Sequence, residues 1–232
     1  VSSNRSSFVR FDFEPDLLNA LLGGNLGNAL ANTLGGLVLG NHSIEVGARN
    51  GTSNVASGSS SGGFSTSNIR LVKDAGGLYY VAITPTVTYD RVYIKDVTKA
   101  LLLGLSNSTK VYYAFYVSGL GDCDPAFVTD FDGSGLTASV LGIGKAGVTD
   151  MEGAIDNNPN TSSKVSLGLL GVAGSISQNI YFSSAASNGD DVNVKLSVSK
   201  TLADAGILNR ISIGVYNGSN LVTSFSDFGL LN

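Results

Sequence analysis

The chain has 232 residues, and 43% of them are hydrophobic, which is enough apolar side chain to bury a substantial core. Only 14% are charged, and the formal net charge is -4. This balance excludes the basic surface that nucleic acids and anionic membranes require, so we expect neither as a partner.

Strand patterns dominate the first half of the chain. Period-2 alternation of apolar and polar residues predicts strands at 8–13, 43–49, 69–73, 78–84, 90–97 and 110–117. Residues 74–77, Asp-Ala-Gly-Gly, predict a hairpin turn between the third and fourth of these strands. The uncharged stretch 17–39 is long enough for a membrane span, but its four Asn and five Gly favour short helical turns closing a sandwich.

The pattern changes in the middle of the chain and then resumes. Residues 119–151 are rich in Asp and Gly and indicate a junction. Strands are predicted again at 165–170, 175–182, 192–198 and 211–215, with a short helix at 200–208. We therefore divide the chain into residues 1–118, the C-terminal part of a first repeat, the junction 119–151, and residues 152–232, the N-terminal part of a second repeat.

An internal repeat carries this division. Residues 44–57, IEVGARNGTSNVAS, align without a gap with residues 211–224, ISIGVYNGSNLVTS. A strand, an Asn-Gly turn and a following strand recur, and such repetition is typical of tandem arrays. The predicted fold is all-β, a jelly-roll or Ig-like antiparallel β-sandwich comprising parts of two tandem repeats. Incomplete sandwiches leave open edges, so other copies or neighbouring repeats are the expected partners.

Two segments are candidate calcium sites. In residues 130–135, Asp-Phe-Asp-Gly-Ser-Gly, Asp130 and Asp132 alternate as carboxylates do around a hard cation, and an ordinary Asp-Gly turn is the alternative. Residues 154–161, AIDNNPNT, resemble the calcium loop of discoidin-like, galactose-binding-like domains. That resemblance implies a structural Ca²⁺ held by Asp156, Asn158 and Thr161, and requires a left-handed backbone at Asn157. An Asx turn held by Asp156 and Asn158 is the alternative.

Other candidate side chains favour structural roles. His42 is the only histidine and is expected on a loop surface, which leaves no Ser-His-Asp arrangement. Cys123 is the only cysteine, so it is either an inert loop residue or bonded to a second copy. The tyrosines could stack on sugars, although regular strand positions favour packing (Tyr79, Tyr80, Tyr112, Tyr113 and Tyr116). Glutamate is scarce, which disfavours a glycosidase, and we expect no catalytic residues.

Most of residues 65–225 also resemble a known class of repeats, with TPTVTYDRVYI and VYYAFYV as the closing portion of one repeat. The segments AIDNNPNTSSKVSLGLLGVAGSISQNIYFSS, DDVNVKLSV and LNRISIGVYNG are similar to repeat modules of very large secreted surface proteins of Bacteroidota, of the gliding and adhesin type. The resemblance implies secretion by the type IX route, display on the cell surface and assembly into filaments. The expected function is a non-enzymatic structural or adhesive repeat segment, and the alternative is a calcium-stabilised carbohydrate-binding module that recognises surface glycans.

Overall fold

A computed structural model of the chain describes residues 1–13, 18, 21–23, 42–64, 66–98, 109–117, 126–134, 147–166, 174–186, 189–198 and 210–226. The chain separates into two compact units, Val1–Ser184 (unit 1) and Ala185–Asn232 (unit 2). Within the described residues, no helix has the length and apolar character needed to cross a membrane.

Strands account for most of the described residues of unit 1. They are β1 (Ser7–Asp12), β2 (His42–Asn50), β3 (Ser53–Ser59), β4 (Ile69–Asp74), β5 (Tyr79–Ile83), β6 (Arg91–Thr98), β7 (Lys110–Tyr116), β8 (Ala126–Ser134), β9 (Gly147–Thr149), β10 (Lys164–Ser166) and β11 (Ser175–Phe182). Two single turns of 3-10 helix, Ser60–Gly62 and Met151–Ala154, lie between them. Unit 2 contains β12 (Ile213–Asn217) and β13 (Asn220–Phe225).

Unit 1 is an antiparallel β-sandwich, which confirms the predicted fold class. Its larger sheet has six strands in the order β11-β8-β4-β5-β1-β7, and its smaller sheet has three in the order β3-β2-β6. The pair β9-β10 forms a separate two-stranded sheet. The strand pairs within these sheets are antiparallel.

The main core lies between the two sheets. Alternate residues of each strand point inward, as the period of two requires. The six-stranded sheet and the three-stranded sheet supply many of its buried side chains, Val9, Phe11, Ile69, Leu71, Val81, Ile83, Ile44, Val46 and Ala48. Leu18, Leu21 and Leu22, from the apolar stretch 17–39, are buried in the same core. These leucines therefore contribute to the core of the sandwich, and apart from Gly23 the rest of that stretch lies outside the described residues.

The outer face of the six-stranded sheet carries a second cluster of apolar side chains. Phe8 stacks on Phe115 with ring centroids 5.3 Å apart and meets Phe127 edge to face at 5.0 Å. Tyr80 packs edge to face on Phe115 at 5.8 Å. Phe8 and Tyr80 are buried beneath their neighbours, so this sheet has a packed layer on each side.

The predicted junction lies within unit 1. The predicted junction, residues 119–151, contains β8 and β9, and β8 pairs with both β4 and β11 inside unit 1. Asp and Gly at 130–133 are typical of a loop, but Asp130 is accommodated in the sheet because side chains from β4 and β11 satisfy its carboxylate. The two compact units divide between residues 184 and 185.

Two further predicted elements fall in unit 2. Residues 192–198 were expected as a strand and have the right alternation, but they lie outside the assigned strands. A strand requires a neighbour, and no such pairing is described for residues 192–198. The predicted helix at 200–208 lies outside the described residues.

Candidate functional site

The repeated segment folds as the same hairpin in both units. In unit 1, Asn50 pairs with Ser53 and Gly47 pairs with Ser57, with a bulge between Ala48 and Arg49. In unit 2, the equivalent positions pair identically, as Asn217 with Asn220 and Gly214 with Ser224, and the bulge falls between Val215 and Tyr216. The two copies therefore share a turn, a register and an irregularity.

The turn explains why the register is shared. Gly51 has φ +58° and Gly218 has φ +60°, whereas the next residues, Thr52 and Ser219, do not have positive φ. Glycine at the first of two loop positions is the pattern of a type II′ turn, which matches the twist of the flanking strands. Because only glycine adopts this backbone without strain, the turn fixes the register of both hairpins.

The surroundings of the two hairpins differ. In unit 1, Val46 is 0% exposed, because β2 lies under the six-stranded sheet and between β3 and β6. In unit 2, β12 pairs with β13 alone among the described residues. Four large apolar side chains of this hairpin are more than half exposed, namely Tyr216, Leu221, Val222 and Phe225. The second hairpin therefore presents an apolar surface that no strand of the described part of the chain covers.

The loop at residues 154–161 brings three predicted metal ligands together. The Thr161 hydroxyl lies 2.9 and 2.8 Å from the two carboxylate oxygens of Asp156, and 2.8 Å from the backbone carbonyl oxygen of Asn158. The backbone amide of Asn158 donates a hydrogen bond to Asp156 Oδ1 at 2.9 Å. Asn157 has φ +58°, the left-handed backbone that the resemblance requires. These bonds hold the pKa of Asp156 below its ordinary value.

The same oxygens can be tested against calcium. Ca²⁺ takes six to eight oxygen ligands, which carboxylates, carbonyls and waters supply. Asp156 and Asn158 line a surface depression, and together with Thr161 they offer carboxylate, carbonyl and hydroxyl oxygens, so the donor types fit. Within the described residues, no group of three or more His, Cys, Asp or Glu side chains is placed to bind a metal. The loop also satisfies its own hydrogen bonds as an Asx turn.

Asp130 does not join that cluster. It lies on β8 with 1% of its surface exposed, and it accepts hydrogen bonds from Arg70 Nε at 2.5 Å, Asn179 Nδ2 at 2.6 Å and the Tyr181 hydroxyl at 3.0 Å. Burial raises the pKa of the Asp130 carboxyl group, and the Arg70 charge opposes that rise. The structure thus gives Asp130 a guanidinium partner and a role in joining β4, β8 and β11.

Asp132 is also on β8 rather than in a loop. Its Oδ1 accepts a hydrogen bond from the backbone amide of Gly133 at 2.8 Å. Asp130 and Asp132 are two residues apart on a strand, so they share one face of the sheet, but Asp130 is committed to Arg70. The pair therefore does not form the loop that residues 130–135 suggest.

The tyrosines divide between packing and exposure. Tyr80 is buried, and its hydroxyl lies 3.0 Å from Asp74 Oδ2 and 3.0 Å from the Tyr113 hydroxyl. Burial and these bonds raise the pKa of Tyr80. Tyr112 and Tyr116, on the edge strand β7, are about half exposed, and Arg10 lies 4.1 Å from the Tyr112 ring centroid. The exposed rings are therefore at one edge of the sheet.

Two remaining candidates contribute no described chemistry. His42 begins β2, where it pairs with Thr98, instead of lying in the expected loop. Cys123 lies outside the described residues.

The comparisons with known proteins found no relative. No protein-family model matches the chain, no curated protein matches it significantly, and no solved structure matches it significantly. The resemblance to Bacteroidota surface repeats therefore enters below as part of a proposal.

Sequence reasoning missed the partners of Asp130. Arg70 interrupts an otherwise apolar strand, Ile-Arg-Leu-Val, which is a signal that it has an acidic partner. Asn179 and Tyr181 alternate on β11, so they share a face. The sequence does not show that these strands flank β8, because the contacts join residues about fifty positions apart or more.

Proposed function

We propose that this chain is a non-enzymatic structural or adhesive repeat segment of an extracellular surface or filamentous protein. The observation that carries the proposal is the hairpin that occurs twice with one register, one turn and one bulge. Such duplication is typical of modules that are strung together to give length and many attachment points. The similarity to Bacteroidota gliding and adhesin repeats supports the same conclusion.

The architecture of unit 1 suits a mechanical role. Its six-stranded sheet is packed on both faces, so separating its strands also exposes apolar side chains. The buried Asp130 is bonded to Arg70 and Asn179, and these contacts cross-link three strands. A low share of charged residues and one cysteine fit a secreted module that is stabilised by its core.

The proposal is tested by locating the protein on its source cells. Antibodies raised against the purified chain are applied to intact cells, and to lysed cells as the control for accessibility. We expect labelling of intact cells, with linear or patchy distribution if the parent protein forms filaments. Labelling that appears only after lysis would contradict a surface role.

A calcium-stabilised carbohydrate-binding module is the second proposal. The converging oxygens of Asp156, Asn158 and Thr161 and the half-exposed rings of Tyr112 and Tyr116 favour it. Exposed aromatic rings stack on sugars, and a bound cation would stiffen the loop. The partner would be a surface glycan.

A glycan array with calcium and with a chelator tests this alternative. We expect binding that Tyr112→Ala and Asp156→Ala reduce, and that Asp191→Asn, an exposed change in unit 2, leaves unchanged. An array without hits under both conditions would remove the alternative, while surface labelling of cells would still support the first proposal.

A further inference from the structure

The edge of β12 that faces away from β13 has a defined counterpart in unit 1. There, β2 pairs with β3 on one side and with β6 on the other. In unit 2, β12 pairs with β13 in the register of β2 with β3. The side of β12 that corresponds to β6 has no strand on it among the described residues.

The register of β6 on β2 describes what would occupy that edge. Ile94 lies opposite Val46, Tyr93 opposite Gly47 and Val92 opposite Ala48. Transferred to unit 2, the same residue types would face Ile213, Gly214 and Val215. Val92 and Ile94 pack against the main core of unit 1, so their counterparts would cover the apolar face of the second hairpin.

A glycine in the middle of β2, and another in the middle of β12, leaves space for an aromatic ring above the strand. A Cβ at Gly47 would lie 2.7 Å from the Tyr93 hydroxyl, so the Tyr93 ring covers this glycine. A Cβ at Gly214 would lie 2.8 Å from Cε2 of Tyr216, a residue of the same strand. The Tyr216 side chain is 61% exposed and can rotate away, leaving the seat open for a partner's ring.

We propose that the β12 edge binds a strand of the β6 type from another copy of this module. The partner strand is antiparallel, with an aromatic residue over Gly214 and β-branched residues on either side of it. Strand addition of this kind draws affinity from main-chain hydrogen bonds and specificity from alternate side chains. The inference rests on the proposed function, since it requires that modules of this type meet.

The test uses a fluorescent peptide with the sequence of residues 89–98 and the intact chain. We expect saturable binding in fluorescence anisotropy, with backbone amide shifts of residues 211–217 in NMR spectra and none in β2. A scrambled peptide of the same composition should not bind. Absence of binding, or shifts confined to β2, would overturn the proposal.

Paired variants separate the edge from the fold. Val215→Asp in the chain and Ile94→Asp in the peptide should each weaken binding about tenfold or more, a loss equivalent to roughly 1.4 kcal/mol. Gly214→Ala should also weaken binding. The hairpin without a partner tolerates the added methyl group, but that group occupies the space that the partner's aromatic ring would fill. Ser219→Asp, in the exposed turn, is the matched control and should bind normally.

The alternative is that this edge pairs with some other strand of a second chain and not with a β6-type strand. Sedimentation over a range of concentrations shows whether the chain associates with itself, and the peptide should dissociate any such complex. Association that the peptide does not reverse would overturn the assignment of the edge to a β6-type strand. If the peptide fails while intact cells are labelled by antibody, the repeat function stands and only this inference falls.

Discussion

The hairpins β2–β3 and β12–β13 have the same hydrogen-bond pattern but opposite surroundings. Their turns, registers and bulges coincide, so local sequence alone is sufficient to specify the hairpin. Burial does not follow from local sequence, since Val46 and Ala48 are 0% exposed while the equivalent Ile213 and Val215 are only partly buried. The repeated segment therefore specifies the hairpin and its register, and the strands that pack around the hairpin determine how stable it is.

Placing a charge on the core face should separate the hairpins most strongly. Val46→Asp buries an unpaired carboxylate and should cost more than about 4 kcal/mol, which is enough to unfold unit 1. Ile213→Asp, at the equivalent position of unit 2, should cost less than about 1 kcal/mol because water reaches the side chain. Circular dichroism and urea denaturation measure the loss of stability in both variants. Equal losses would contradict the difference between the two hairpins.

The ion pair between β4 and β8 tests what holds the surroundings of the first hairpin together. Asp130→Ala should destabilise unit 1 by about 3 kcal/mol or more, because three donors lose their buried acceptor. The double variant Arg70→Met with Asp130→Leu should recover most of that loss. Asp132→Ala, on the same strand, is the control and should cost less than about 1 kcal/mol. A similar loss for Asp130→Ala and Asp132→Ala in urea denaturation would contradict this account.

The central glycines offer a subtler matched pair. A Cβ at Gly47 would lie 2.2 Å from the backbone oxygen of Ala56, whereas the contacts at Gly214 are with side chains, at 2.8 and 3.3 Å. We expect Gly47→Ala to cost about 2 kcal/mol, as overpacking does, and Gly214→Ala to leave stability nearly unchanged. Tyrosine fluorescence during denaturation reports unit 1, and amide shifts report unit 2.

The turn at Asp156 resembles the two hairpins in one respect, because hydrogen bonds between residues close in sequence hold it together. A carboxyl whose folded pKa is lowered stabilises the turn above its unfolded pKa of about 3.9, and that contribution is lost as pH falls through the folded pKa. NMR titration of the carboxyl carbon should give a midpoint below about 3.9, and Thr161→Ala should raise it. An unchanged midpoint in that variant would contradict the proposed hydrogen bonds.

Much of the fold could be predicted because strand alternation and turns are local signals. The strand 175–182 was predicted with the bounds that the structure gives to β11, and the turn at 74–77 joins β4 and β5 as expected. β8 was missed because Asp130, Asp132 and Gly133 are typical of loops. The residue that overrides this pattern is Arg70, which belongs to a strand far earlier in the chain.

The candidate sites were less predictable for the same physical reason. Asp156, Asn158 and Thr161 are close in sequence, so their meeting in one turn could be anticipated. The partners of Asp130 depend on strand order, which periodicity does not specify. The strand expected at 192–198 shows the reverse error, since correct alternation does not form a strand without a neighbour to pair with.

Native-state hydrogen exchange of the two hairpins tests the central claim most directly. Both hairpins have the same local hydrogen bonds, so any difference in protection must come from their surroundings. We predict that the paired amides of β2 exchange about a thousandfold more slowly, or more, than those of β12, as global and local opening require. Equal protection in the two hairpins would contradict the account.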